Sequence, residues 1–339
     1  MLQEDKILYP ETGARRNAGS LNPNSVAQHL LVHAVRQKLE RKAGQADNRR
    51  FPQFRERLLE EVKASGAETV LISSELIALS PETEKKTFLR YFKEFPDADI
   101  RVIYAMRYFP DYAESMLNQR LKSKGPLVDT TKNIQPLNML RDLEDWGKLL
   151  GKDKVHGLYF SAADYKGYVG EILDAAGIRS GTAEEAAAIS DNTSLSLNGM
   201  ALNTALGTML DAHGVTLDSE ERRRLIAVLN RTEAEWTAKQ KLVLLPSETS
   251  DSLAALFRSK MPEIANLLTP ASVARMEAEM ARREAQVFAD SNAGKPATFT
   301  AADVAKILML AFEYPIIRSI LRRCHKEDVL ADKERATAE

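Results

Sequence analysis

The chain has 339 residues, 44% of them hydrophobic, which is enough to bury a substantial core in one large domain or two ordinary ones and argues against disorder. Its 47 basic and 48 acidic side chains leave a formal net charge of -1, so no global field draws it to nucleic acid or an anionic membrane, and any anion site must be local. The single cysteine, Cys324, excludes an intramolecular disulfide framework and a multi-cysteine metal site, and it fits a reducing compartment.

Residues 1–20 hold no apolar run of signal-peptide length, so a cytoplasmic protein is expected. Residues 24–45 place Val26, Leu30, Val35 and Leu39 at helical spacing, and Asn24 or Ser25 can cap the start. After a polar, basic link, a second amphipathic helix covers 53–65 and ends near Gly66. The period then changes: the β-branched run 69–73 reads as a buried strand. Residues 82–94 return to a helical pattern, closed by Pro96. Residues 100–106 are a second buried strand, followed by a turn at Pro110 and a helix from about Asp111 to Lys122. A helix over 139–150 ends at Gly151, and 155–160 is a third strand. Strand and helix alternating at this spacing predict a parallel α/β sheet.

Beyond residue 165 the strands stop. Helical patterns cover 165–175, 183–189, 196–212, 218–242, 250–258, 272–289 and 301–328, so the C-terminal half is mainly α. The turn-rich segment 290–297 links the terminal helix to the rest. Within that helix the apolar stretch 307–312 is cut by Glu313 and Pro315, far short of the ~20 apolar residues that span a bilayer. The terminal helix is amphipathic with a basic end; packing on the body or a partner is the first reading, and peripheral membrane contact through the basic end stays open.

The chemistry concentrates after the second strand. Arg107 leaves the strand's carboxyl edge, and Ser115 stands eight residues on in the first turns of the next helix, where amides and the macrodipole favour negative charge. A guanidinium supplies a planar fork of donors and a hydroxyl one rotating donor, so the two can converge on a phosphate. The plain alternative is a surface ion pair and a helix-surface serine. Glu75, at the end of the first strand, is either a general base or a first-turn carboxylate favoured by the helix dipole. Ser73 and Ser74 orient a substrate or cap a helix. His29 is either functional or packed, and His33 pairs with it one turn later without a third ligand in reach, so no metal site is expected. The run 192–196 precedes a helical pattern, which makes capping by Asn192, Thr193 or Ser194 the first explanation.

Arg107, Tyr112, Ser115, Gln119 and Lys122, at their spacing, resemble the 3'-phosphate-binding segment of sulfotransferases that use 3'-phosphoadenosine 5'-phosphosulfate, most closely a bacterial branch. Further pieces agree in order: Ile7 to Pro10, the helix with His29, Ile72 to Glu75, Trp146-Gly147, the strand 155–160, Ala176 to Ile178 and the run 192–196. The resemblance spans residues 5–235. It implies a three-layer P-loop-type parallel sheet with a long, mainly helical C-terminal part: a sulfotransferase-like domain over 1–235 and a helical extension over 236–339 packed on it. The implied reaction moves a sulfuryl group from 3'-phosphoadenosine 5'-phosphosulfate to a hydroxyl acceptor, such as a saccharide or glycolipid. Arg107 and Ser115 would hold the 3'-phosphate, Asn192 and Ser194 would lie near the nucleotide, and Glu75 or His29 would be the base, with no metal.

One departure matters. These enzymes cradle the 5'-phosphosulfate in a glycine-rich loop between a first strand and helix, whereas here the match begins after that helix. Neither Gly13 nor Gly19 follows a predicted strand, so neither forms such a loop. A strand, loop and helix of about 25 residues are expected upstream. The alternative is a loop-less, non-catalytic relative that acts as a binding or scaffold protein. Each lost loop donor would remove ~3–4 kcal/mol of charge stabilisation from the transfer.

Overall fold

The structure, a computed structural model, describes residues 5–16, 26–41, 50–78, 80–93, 98–124, 135–179, 196–218, 242–284 and 286–289, with Phe95 and scattered positions over 221–229 and 300–324. In chain order the elements are β1 (Ile7–Leu8), β2 (Arg15–Arg16), β3 (Val26–Ala27), α1 (His29–Arg41), α2 (Arg50–Ser65), β4 (Thr69–Val70), a single 3-10 turn (Glu75–Ile77), α3 (Glu82–Lys93), β5 (Val102–Arg107) and α4 (Phe109–Lys124). Then follow α5 (Leu137–Leu150), β6 (Val155–Phe160), α6 (Tyr165–Ala176), α7 (Leu197–Ala212), α8 (Ser247–Ala265) and α9 (Pro270–Arg282). The class is mixed α/β.

β5 and β6 run parallel, in register from Val102 against Val155 to Arg107 against Phe160. The consecutive buried residues Gly157, Leu158 and Tyr159 show that β6 is covered on both faces, as parallel strands usually are. On α5, Met139, Leu140, Leu143 and Trp146 recur at helical spacing and enter the same core as Tyr104 and Met106 of β5. Phe257 of α8 closes that core, its ring centre 5.2 Å from Tyr108, 4.9 Å from Phe109 and 6.1 Å from Tyr159. Ile264 and Met276 join from α8 and α9, so residues 247–282 pack into the core of the β5–β6 pair.

The run 69–73 makes a shorter strand than its composition suggests. Only Thr69 and Val70 pair, in parallel with Ile7 and Leu8, and not with β5. The reason lies at Ser73, whose carbonyl accepts the Gln28 amide at 2.7 Å and whose amide donates to the Gln28 Oε1 at 2.8 Å, so a side chain replaces the ladder. A short antiparallel pair, β2 with β3, was not anticipated. Pro110 is not a turn before the next helix: α4 begins at Phe109, and proline stands at its second position, where a missing N–H leaves no intrahelical bond unmade. The α8 helix outruns the pattern over 250–258 in both directions.

The open edge of β6 is covered by the corner between α8 and α9, where the Thr269 amide donates to the Gly157 carbonyl at 2.9 Å. Gly157 is required here, because a Cβ would lie 2.2 Å from the Leu267 carbonyl oxygen. The patterns over 183–189 and 290–297, and the cap candidates Asn24 and Ser25, lie outside the described residues. Of the terminal pattern, 315–320 and 322–324 are helical, and Ile317, Ile320 and Cys324 pack against Leu210, Leu217, Leu225 and Leu229. Among the described residues, no helix is long and apolar enough to cross a membrane.

Candidate functional site

Strand register places Arg107 and Phe160 side by side at the carboxyl ends of β5 and β6. The guanidinium carbon sits 4.9 Å from the Phe160 ring centre, within cation–π range. Phe160 is itself held edge-on by Tyr168 at 5.2 Å and by Tyr165 at 6.1 Å. Burial, helped by Tyr165 and opposed by Arg275, pushes the Tyr168 phenol up to about 12, so this support stays neutral. The Arg107 Nε is buried and has no hydrogen-bond partner among the described residues. Leaving a buried donor unmet is costly, and an anion bound at the strand edge would satisfy it.

Ser115 is half-buried in the second turn of α4, deeper than the sequence suggests, because the helix starts at Phe109. Its amide therefore belongs to the helix ladder, and only its hydroxyl is available to a ligand. The first turn already carries a carboxylate of the chain: Asp111 accepts from the Arg283 Nη2 at 2.7 Å, and Arg283 lies 4.6 Å over the Tyr108 ring. The positive end of the α4 dipole is thus partly met from within. No hydrogen bond joins Arg107 to Ser115. Tyr112 is half-buried, Gln119 is exposed, and Lys122 lies within α4.

A second polar cluster forms where β1, the start of α1 and the segment after β4 meet. Gln28 is fully buried, and its Nε2 donates to the Pro10 carbonyl at 3.0 Å while its Oε1 holds the Ser73 amide. Burial raises the Tyr9 phenol's pKa, against hydrogen bonds with Ser73 and Gln28. The His29 Nδ1 lies 2.9 Å from the Ser74 Oγ. Ser74 occupies the N-cap of the 3-10 turn without using its side chain to cap, so its hydroxyl serves the imidazole. Glu75 opens that turn and is exposed. Arg36 fixes the turn from α1, donating to the Leu76 carbonyl at 2.7 Å, Ser80 at 3.2 Å and Glu84 at 2.9 Å. The exposed Glu75 carboxylate is open to a ligand, whereas the His29 imidazole is buried beside the Ser74 hydroxyl.

The structure therefore brings Ile7 to Pro10, His29 and Ile72 to Glu75 into one cluster, and sets Arg107 beside Phe160 on the β5–β6 pair. Asn192 and Ser194 lie outside the described residues. His33 is half-buried, and among the described residues no group of three or more His, Cys, Asp or Glu side chains could hold a metal ion. Sequence reasoning missed Gln28, Arg36 and Phe160. Phe160 had only a partial signal: pairing the two predicted strands from their last residues sets it against Met106, one residue short of the observed register with Arg107. Gln28 and Arg36 had none, because their partners are 18 to 45 and 40 to 48 positions away.

No family model, no curated protein and no solved structure matches this chain.

Proposed function

We propose that the protein is a sulfotransferase of three-layer P-loop-type fold that takes 3'-phosphoadenosine 5'-phosphosulfate and transfers its sulfuryl group to a hydroxyl acceptor, a saccharide or glycolipid. The observation that carries this reading is Arg107: a strand-end guanidinium, held over Phe160, whose buried Nε lacks a partner among the described residues. Such a group fits a phosphate oxygen, and charge-assisted bonds of this kind are about twice as strong as neutral ones. Ser115 adds a hydroxyl donor from α4. The bound nucleotide supplies the electrophilic sulfur. The chain's part is to hold the 3'-phosphate through Arg107 and Ser115 and to take the acceptor's hydroxyl proton at His29 or Glu75. Positioning and charge stabilisation dominate transfers of this type.

Titration with adenosine 3',5'-bisphosphate and with ATP tests the reading. The bisphosphate should bind and ATP should not compete; Arg107→Ala should weaken binding at least ~10-fold, the loss of a charge-assisted contact. Absence of bisphosphate binding, or unchanged affinity in the variant, sinks the proposal. A second reading is a binding or scaffold protein without turnover. It is favoured by Asp111, which already occupies the first turn of α4 through Arg283. Bisphosphate binding without sulfuryl transfer to any hydroxyl acceptor would select it.

A further inference from the structure

Beyond that reading, we propose that a basic groove on the C-terminal helical segment binds an anion carrying several phosphate groups. Pro315, Arg318, Ser319, Arg322 and Arg323 line a cavity of about 410 Å³. Ile317, Ile320 and Cys324 are buried against Leu210, Leu217, Leu225 and Leu229, which fixes the rotation of the segment. Residues 315, 318, 319 and 322 then share the outward face at helical spacing.

Charge explains what the groove would take. Arg318 and Arg322 are exposed and have no carboxylate partner among the described residues. Arg323 is paired with Glu221 at 3.2 Å, yet its Nε is buried without a hydrogen-bond partner among the described residues. Two uncompensated guanidiniums and one half-satisfied one therefore meet in a cavity with a hydroxyl. The protein as a whole has a net charge of -1, so this positive patch does not follow from general basicity. Guanidinium forks match phosphate oxygens in pairs of parallel bonds. A single phosphate can engage the arginines one turn apart, but the cavity is in the ~300–1,000 Å³ range of small-molecule sites and has room for more than one such group. The shared chemistry is a polyphosphorylated headgroup, either free in solution or carried by a lipid.

Isothermal titration of the full chain with inorganic tripolyphosphate, and cosedimentation with vesicles containing a polyphosphorylated phosphoinositide in phosphatidylcholine, test the site. Tripolyphosphate should bind saturably, and Arg318→Gln/Arg322→Gln should weaken it at least ~10-fold with an unchanged circular dichroism spectrum, since both side chains are exposed. Vesicle binding that the same double variant abolishes identifies a lipid source; tripolyphosphate binding alone identifies a soluble one. Arg107→Ala should leave this affinity unchanged, whatever it does to bisphosphate binding. The proposal is overturned if neither probe binds, if the double variant binds like the parent, or if Arg107→Ala removes tripolyphosphate binding while the double variant keeps it.

Discussion

Lys85 shows how far a residue's setting can depart from its local context. It stands among the charged residues of the helical stretch 82–94, yet its side chain is 1% exposed and ion-paired with Asp142 of α5, itself 3% exposed. Asp145 lies 3.8 Å from the ammonium, and the Trp146 ring centre 5.6 Å from it. Burial first, and then Asp142, push the Tyr104 phenol far above its ordinary value, which keeps it neutral. Removing one member leaves a buried charge unmet, so Lys85→Ala should cost about 3–5 kcal/mol in urea denaturation, while Lys85→Met/Asp142→Leu should recover most of it. Equal losses in the two variants would mean that the pair itself is stabilising. The pairing was not legible in the sequence, because Lys85 and Asp142 are brought together only when α3 packs on α5. Arg107 differs: its place at a strand end could be read locally, but its ring partner came from the register of β6.

Among the elements, the two long strands and the helices between them follow from period and composition. The 155–160 strand has the predicted bounds, since a β-branched and aromatic run between Gly151 and a polar turn has no competing helical period. The α6 helix is bounded by local chemistry: Asp164 accepts from the Gly167 amide at 3.2 Å, and Gly177 closes the end at φ 73°. The run 69–73 shows the limit of pattern, because Gln28 took the backbone groups that a neighbouring strand would have used. Gly157 carries the element-scale prediction. Gly157→Ala should destabilise by about 1–3 kcal/mol or more, since the added methyl must displace the Leu267 carbonyl and the corner that covers β6. Hydrogen exchange at the Thr269 amide should accelerate in that variant; protection unchanged from the parent would refute the close approach.

Across the whole molecule, ion pairs built on the buried Arg275 and Glu279 tie α9 to the strand edge. Arg275 donates to the Tyr159 carbonyl at 3.1 Å, to Glu171 at 2.7 Å and to Asp164 at 2.8 Å. Glu171 also accepts from Thr269 and from Ser272, and Glu279 accepts from Ser161 at 2.6 Å and from Arg283. Burial opposes the charge on both glutamates, but these hydrogen bonds and the neighbouring arginines outweigh it and hold both below the ordinary 4.5. Carboxylates depressed in the folded state add stability that is present above 4.5 and is lost as pH falls through their lowered values. The thermal midpoint contributed by these groups should therefore be flat from about pH 7 to pH 5 and fall below about pH 4, and Glu171→Gln/Glu279→Gln should flatten that fall while lowering the midpoint at neutral pH. An acid limb as steep as the parent's would show that these carboxylates do not drive it.

By itself, the sequence determined the mixed α/β class, strands over 100–106 and 155–160, the first of which the structure places at 102–107, the helices that flank them, and the locality of any anion site in a chain of net charge -1. These are properties of neighbouring residues, set by side-chain period, turn formers and charge count. Tertiary structure decided the rest: that β4 pairs with β1, that Phe160 lies against Arg107, that His29 meets Ser74, and that α8 and α9 complete the core. Each joins groups distant in the chain, and such contacts are fixed by which apolar faces bury one another and which polar groups must then find partners, and neither is encoded at any single position.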